Sequence, residues 1–247
     1  MAGKAGFKRV LSRGDLILYG LVILTPTAPY SVYGIVQQVS RGHAALGYLV
    51  AMVAMLFTAA SYAKMSAAYP SAGSTYTYAQ RALNPHIGFL AGWAMILDYF
   101  LIPLLSVIYS ALTAAHQFPR GPYFVWAVLF TIGITVINVR GIRVTARASM
   151  AMMIVMSACA LLFIWLAARF VMRGHGPGAL FSSAGIFRPE TFAIHPLMLG
   201  AAIATLSYIG FDAISTLAED TLHPERDIGF ATITVCLVQT VVCVVTV

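Results

Sequence analysis

Two acidic residues lie inside long apolar stretches of the sequence, and they are the first candidates for chemistry. Asp98 follows the run from Trp93, and Asp212 closes the segment SYIGFD at residues 207–212. If these stretches cross a membrane, each carboxylate costs about 2.5–3.5 kcal/mol to insert, so it should be paired, protonated or in contact with water. Asp98 is therefore the candidate for proton coupling or cation attraction, with an interhelical hydrogen bond to a Tyr or Ser as the alternative.

Asp212 has two interpretations, and both stay open at the level of the sequence. It follows Gly210, so it could begin the second half of an interrupted helix, where its carboxylate would accept from the backbone N–H of Ser215 or a neighbour. The alternative is direct contact with a ligand.

Interrupted backbone is the second chemical feature. Residues 25–29, TPTAP, place two prolines inside one apolar run, and each proline removes a backbone donor and clashes with the preceding turn. Residues 207–212 weaken a later run with glycine and with side chains that compete for backbone groups. Non-helical backbone at membrane depth persists only where protein covers it or where it lines a polar cavity. The two breaks are therefore predicted to be covered by protein or to line such a cavity, and the alternative is that Pro and Gly are simply common in membrane helices.

Composition predicts the elements that hold these residues. The chain has 247 residues, of which 60% are hydrophobic and 9% charged, more apolar than one soluble core of this length requires. A crossing needs about 20 apolar residues. Seven continuous runs qualify: Leu16–Val39, Ala44–Ala68, Ile87–Ala115, Tyr123–Val139, Ala148–Val171, Pro196–Ala218 and Ile228–Val247. Since they do not alternate as barrel strands do, an all-α integral membrane protein is predicted.

The breaks fall in the first and sixth runs, which indicates two five-helix repeats of opposite orientation, each led by a discontinuous helix. The last run reaches Val247 without a polar exit, so the second repeat is expected to be truncated. The predicted organisation is a cytoplasmic N-terminal segment (1–15), a first repeat (16–171), an extracellular or periplasmic loop (172–195) and the first two helices of the second repeat (196–247).

The net charge of +7 could indicate a nucleic-acid partner, but the positions of the basic residues argue against one and predict a topology instead. With the N-terminus in the cytoplasm, ten of the fifteen basic residues lie inside, as expected for a multi-pass protein of the cytoplasmic (inner) membrane. The segment 219–227 mixes both charge signs. Glu219 and Asp220 could form a cytoplasmic gate with Arg140 and Arg143, or the segment could be a solvated loop.

Several ordered segments resemble the amino acid–polyamine–organocation (APC) superfamily of permeases, and within it the bacterial putrescine-importer-type and amino acid permeases. The matching segments are 24–35 (LTPTAPYSVYGI), 69–80 (YPSAGSTYTYAQ), 84–93 (NPHIGFLAGW), 138–143 (NVRGIR), 207–220 (SYIGFDAISTLAED) and 223–228 (HPERDI). The resemblance implies a five-plus-five, LeuT-like inverted-repeat transporter fold, of which this chain holds about seven helices with helices 1 and 6 discontinuous.

The resemblance also implies a substrate site at the two breaks. Exposed N–H groups of a half-helix suit a carboxylate, and unwound carbonyls suit an ammonium. The implied substrate-binding residues are Thr25, Pro26, Thr27, Ala28, Tyr30, Ser207, Tyr208, Ile209, Gly210, Phe211 and Asp212. Putrescine-type members can carry an acid where this chain has Ser31, which weakens a diamine assignment.

The predicted function is secondary active import of amino acids or polyamines, by proton-coupled symport with alternating access. The alternatives are an amino acid or polyamine exchanger and a non-transporting seven-helix fragment; a seven-helix retinal receptor is disfavoured because the last run has no Lys. Neither an HExxH nor a GxSxG motif occurs, so no enzyme, cofactor or metal is predicted. The expected partners are a small-molecule substrate, protons or another coupling ion, and the bilayer.

Overall fold

The structure, a computed structural model, describes residues 9–25, 27–173 and 186–247, with the backbone alone for residues 142, 143 and 146. The α-helices in these ranges are α1 (Arg13–Leu24), α2 (Ala28–Val39), α3 (Ala44–Ala68), α4 (Ser74–Ala82), α5 (Pro85–Gln117), α6 (Tyr123–Val139), α7 (Ile142–Met172), α8 (Ile194–Ala204) and α9 (Pro224–Thr246). Between α8 and α9 lie a first 3₁₀ segment (Thr205–Tyr208) and a second 3₁₀ segment (Phe211–Leu217). The extended pairing in the described residues is an isolated bridge between Leu11 and Thr221.

The all-α membrane fold is confirmed. Five helical segments are long and apolar enough to cross a membrane, and α1 with α2 forms a sixth as one bent span. The five are Ala44–Ala68, Pro85–Gln117, Arg147–Met172, Ile194–Leu217 and Pro224–Thr246. The remaining predicted span is α6, which has 17 residues. At about 1.5 Å per residue it is about 25 Å long, somewhat less than the hydrocarbon core of about 30 Å.

Local side-chain chemistry explains where two of these helices begin. Ser12 and Asp15 form a capping box at the start of α1: the Ser12 side chain accepts from the Asp15 N–H, and the Asp15 carboxylate accepts from the Ser12 N–H at 2.9 Å. Asn84 caps α5 by accepting from the Ile87 N–H at 2.9 Å, with Pro85 in the first turn.

The helices form two compact units, residues 1–74 with 153–247 and residues 75–152. In the first unit, α3 packs against α8 and α9, α1 packs against α9 and the second 3₁₀ segment, and α2 packs against α8. Its core has two clusters. One is built around Leu16, Ile214 and Val235, and the other around Tyr48 and Tyr208. This unit contains both predicted breaks.

The second unit contains most of α4, all of α5 and α6, and the first part of α7. Helix α5 packs against α6. It also approaches α4 closely, because a Cβ on Gly88 would lie 2.6 Å from the Gln80 Cβ. The predicted repeats at 16–171 and 196–247 concern chain symmetry, whereas these units reflect packing, so the repeat boundaries stay a prediction.

Candidate functional site at two helix breaks

The first break separates α1 from α2. Thr25 ends α1 with a φ of 53°, and its N–H still bonds to the Leu21 carbonyl. Thr27 stands at the N-cap of α2, and Ala28 donates to the Thr25 carbonyl at 3.1 Å. The two helices are bent by 52° at this point. Pro26, a predicted binding residue, lies outside the described residues, and the break itself stands where the sequence predicts it.

The second break takes up the whole stretch between α8 and α9. The α-helix tightens to 3₁₀ at Thr205, Ile209 is extended, and Gly210 adopts the left-handed conformation with a φ of 105°. After Gly210 the span continues as the second 3₁₀ segment. The sequence predicted that a second half-helix begins here but not that it is wound as a 3₁₀ helix. Left-handed backbone is far more accessible to glycine than to other residues, so Gly210 allows the chain to turn here.

The two breaks touch each other. A Cβ on Gly210 would overlap the Cγ2 atom of Ile23, which lies two residues before Thr25. One helical turn earlier, a Cβ on Gly20 would come within 2.6 Å of Ile214 Cδ1 in the second 3₁₀ segment. Glycines therefore allow close approach on both sides, and the discontinuous backbones of the two spans meet within one packing unit.

The aromatic side chains at the breaks pack against neighbouring helices. The Tyr208 hydroxyl lies 2.7 Å from Thr240 Oγ1, and the buried Phe211 ring meets Tyr62 edge-on at 5.6 Å. On α2, the half-buried Tyr30 ring stacks edge-to-face on Phe163 at 5.2 Å. These contacts hold the aromatic side chains in place. Among the predicted substrate-binding groups, the backbone and the exposed side chain of Ile209 are therefore the better placed to contact a substrate.

Two buried hydroxyl groups beside the second break have unmet hydrogen-bonding capacity. Within the described part of the chain, neither Tyr48 Oη nor Ser207 Oγ has a hydrogen-bond partner of ordinary geometry. Buried polar groups are nearly always satisfied, so this spot is suited to a further polar partner.

Asp212 is half-buried in the first turn of the second 3₁₀ segment, whose N-cap is Gly210. A negative charge is favoured at this end of a helix. The Asp212 carbonyl accepts from Ser215 Oγ at 2.6 Å, and Ser215 Oγ lies 2.6 Å from Ser74 Oγ at the start of α4. Asp212 thus lies where the sequence predicted a cap or a ligand, and the choice between those roles stays a prediction.

Asp98 belongs to the other unit. It lies in the middle of α5, and its side chain is exposed. The described residues provide no contact that fixes its role, so proton coupling stays a prediction.

The structure describes the surroundings of three of the four predicted gate residues. Arg140 is exposed at the end of α6, and the Arg143 side chain is outside the described residues. Glu219 accepts from the Ala72 N–H at 3.3 Å, and the Asp220 carbonyl accepts from the N–H groups of Val10 and Leu11 at 2.8 and 2.9 Å. The gate itself stays a prediction.

The last residue of the charged segment 219–227 forms an ion pair that the sequence did not predict. Arg13 of α1 donates from Nε and Nη2 to Asp227 Oδ1 of α9, at 2.9 and 2.7 Å. The Arg13 guanidinium also lies 4.6 Å from the centroid of the Phe230 ring. Asp227 is 5% exposed, so the carboxylate of the pair is largely shielded from water.

This geometry defines a class of protein: a multi-pass helical membrane protein with two discontinuous spans that meet at their breaks. The chain belongs to the amino acid permease family, whose family model matches residues 28–247, and thereby to the APC superfamily.

Similar proteins include the low-affinity putrescine importer PlaP of Escherichia coli K12, at 31% identity over 89% of this chain and 48% of the relative. The branched-chain amino acid permease BcaP of Bacillus subtilis is 29% identical over 98% of this chain and 54% of the relative. The methylthioribose transporter of the same species is 28% identical over 94% of this chain and 52% of the relative. The chain therefore spans about half the length of these relatives.

Proposed function

We propose that the protein is a secondary active importer of amino acids or polyamines that binds its substrate at the backbone of the two breaks. The observation that carries this proposal is the contact between the breaks at Gly210 and Ile23. Interrupted helices leave backbone N–H and C=O groups outside the regular ladder. A site built from both kinds of group serves a carboxylate and an ammonium together.

Relatives of this chain are named for chemically different cargoes. The three relatives are named for a diamine, branched-chain amino acids and a thiosugar, at nearly equal identity. We therefore propose that residues at the first break determine which substrate is bound. Ser31 of α2 donates to the Ala28 carbonyl at 2.8 Å and supplies no negative charge, so a zwitterionic amino acid suits this break better than a dication.

We further propose a cytoplasmic membrane location with the N-terminus inside, and alternating access coupled to protons. Asp98 is the proposed proton carrier, because a carboxylate within an apolar helix is costly to insert and protonation removes most of that cost. Residues Arg140, Arg143, Glu219 and Asp220 are the proposed cytoplasmic gate.

Uptake by cells that lack their own amino acid and putrescine permeases tests the proposal, with the protein expressed from its complete gene. Labelled amino acids and labelled putrescine are compared with an empty-vector control, with and without a proton uncoupler. We expect saturable uptake of at least one cargo that the uncoupler abolishes. Uptake equal to the control for every cargo would refute the transporter proposal, and uncoupler-resistant exchange in preloaded cells would replace symport by antiport.

The Asp98→Asn variant tests the coupling residue. We expect uptake to lose most of its dependence on external pH, because an amide cannot take up and release the proton. Glu190→Gln, an exposed acid in the loop before α8, is the matched control and should keep the wild-type pH profile. An unchanged profile in Asp98→Asn would remove Asp98 from the coupling step.

A further inference from the structure

The second break has an internal support on α9. The side-chain amide of Gln239 donates from Nε2 to the Ser207 carbonyl at 3.0 Å. Gln239 and Ser207 are both 2% exposed, so this hydrogen bond is made away from water. A buried amide is costly without a partner, which gives Gln239 a specific reason to face this carbonyl.

The next residue of α9 holds the next residue of the break. Thr240 Oγ1 donates to the Cys236 carbonyl of its own helix at 2.9 Å, so its lone pairs are available to the Tyr208 hydroxyl at 2.7 Å. The Tyr208 hydroxyl also lies 3.4 Å from the Tyr48 carbonyl of α3. Consecutive residues of α9 therefore hold consecutive residues of the break, immediately before Ile209 and Gly210.

We infer that Gln239 and Thr240 are positioning residues for the substrate site, and that they set the geometry of the second break. This inference rests on the proposed function for its link to substrate. The break lacks the regular helical ladder that fixes backbone elsewhere, so side-chain bonds from a neighbouring helix hold Ser207 and Tyr208 in place.

Two consequences follow for binding. The Ser207 carbonyl already accepts a hydrogen bond from Gln239, so it is a weaker acceptor for the substrate ammonium than a carbonyl of the break with both lone pairs free. In addition, both supports come from one helix, so a displacement of α9 and a change in the break are coupled. Substrate that orders the break therefore also holds α9 in place.

Amide hydrogen exchange of the purified protein tests the support without reference to transport. In Gln239→Leu and Thr240→Val, we expect residues 205–213 to exchange about tenfold faster than in the wild type, the effect of losing one buried hydrogen bond. Thr240→Ser keeps the hydroxyl and should exchange like the wild type.

The matched control is Thr232→Val. Thr232 is 1% exposed on the same helix, and its hydroxyl bonds to the Ile228 carbonyl of its own turn. Thr232→Val should leave exchange at residues 205–213 within about twofold of the wild type, because the hydrogen bond that it removes lies within α9. If Gln239→Leu and Thr240→Val exchange no faster than Thr232→Val, the support does not exist and the inference fails.

Transport kinetics then test the link to substrate. Gln239→Leu should raise the KM about tenfold and change the Vmax per folded transporter far less, because it removes orientation of the binding backbone. A wild-type KM in a variant with faster exchange would overturn the positioning role. If the wild type takes up no cargo, the proposed function fails, while the exchange experiment still decides whether α9 supports the break.

Discussion

Gly210 is the residue on which the second break depends most directly. Its φ of 105° lies in the left-handed region, and the space on its Cβ side is filled by Ile23. We expect Gly210→Ala to lower the free energy of unfolding by about 1–3 kcal/mol, because it adds backbone strain and a steric overlap. Thermal unfolding in detergent measures the change.

Gly34→Ala is the control for this substitution. Gly34 lies in α2, and nothing is within 4 Å of the position that its Cβ would occupy. Alanine at such a helical position should be neutral or stabilise by up to about 1 kcal/mol. Equal melting temperatures for the two variants would show that the left-handed turn and the Ile23 contact carry no weight.

The sequence predicts part of the structure of the second break. A glycine and competing polar side chains in an apolar run predicted a break at residues 207–212. The sign of φ at Gly210 and its cover by Ile23 depend on a contact between distant parts of the chain, so no local pattern reports them. Gln239 could have been found from the sequence, because it is a strongly polar side chain inside an apolar run, which is the signal that indicated Asp98.

The ion pair between Arg13 and Asp227 joins the start of α1 to the start of α9. We expect Arg13→Gln to destabilise the protein by about 1–3 kcal/mol, because a largely buried carboxylate loses its two donors. The figure lies below that for a fully buried pair because the Arg13 side chain is 33% exposed. Chemical denaturation of the purified protein measures the change.

A double-mutant cycle with Asp227→Asn separates the pair from other effects, since Asp227 also lies in the first turn of α9, where the helix dipole favours an acid. Arg9→Gln, an exposed arginine of the same segment, is the control and should be neutral. A coupling energy near zero would show that the contact contributes nothing to stability.

Helix bounds follow from the sequence where hydrophobicity alone sets them. Helix α3 runs from Ala44 to Ala68, as predicted. Helix α4 was not predicted, because Ser74–Ala82 is polar and too short to give an apolar signal. The sequence also could not show that the second half of the sixth span winds as a 3₁₀ segment, since that winding depends on packing against α1 and α9.

At the scale of the whole molecule, both breaks and α9 belong to one packing unit, whereas Asp98 belongs to the other. Hydrophobic periodicity predicts helices and their order. It does not predict which helices pack together, because that choice depends on complementary surfaces such as Gly20 against Ile214. The proposed binding residues and the proposed coupling residue therefore belong to different units, and this division depends on helix packing that the sequence does not reveal.

Membrane orientation is the remaining property of the whole molecule that a single experiment can decide. Basic residues concentrate in the N-terminal segment, on either side of the α3–α4 connection (Lys64 and Arg81) and around the α6–α7 connection (Arg140, Arg143 and Arg147). These regions should therefore lie in the cytoplasm and the α5–α6 connection outside. In a variant whose three native cysteines are replaced by Ala, single cysteines are introduced by Arg9→Cys, Arg120→Cys and Arg140→Cys. All three arginines are exposed.

A membrane-impermeant maleimide added to intact spheroplasts should label Arg120→Cys at once, and should label Arg9→Cys and Arg140→Cys only after permeabilisation. The reason is that each translocated Lys or Arg opposes insertion, and the inside-N-terminus arrangement translocates the fewest. Labelling of Arg9→Cys in intact spheroplasts would reverse the topology. It would also place Glu219 and Asp220 on the outer face, because Asp220 is bonded to Val10 and Leu11 of the N-terminal segment, and they could not form the proposed cytoplasmic gate.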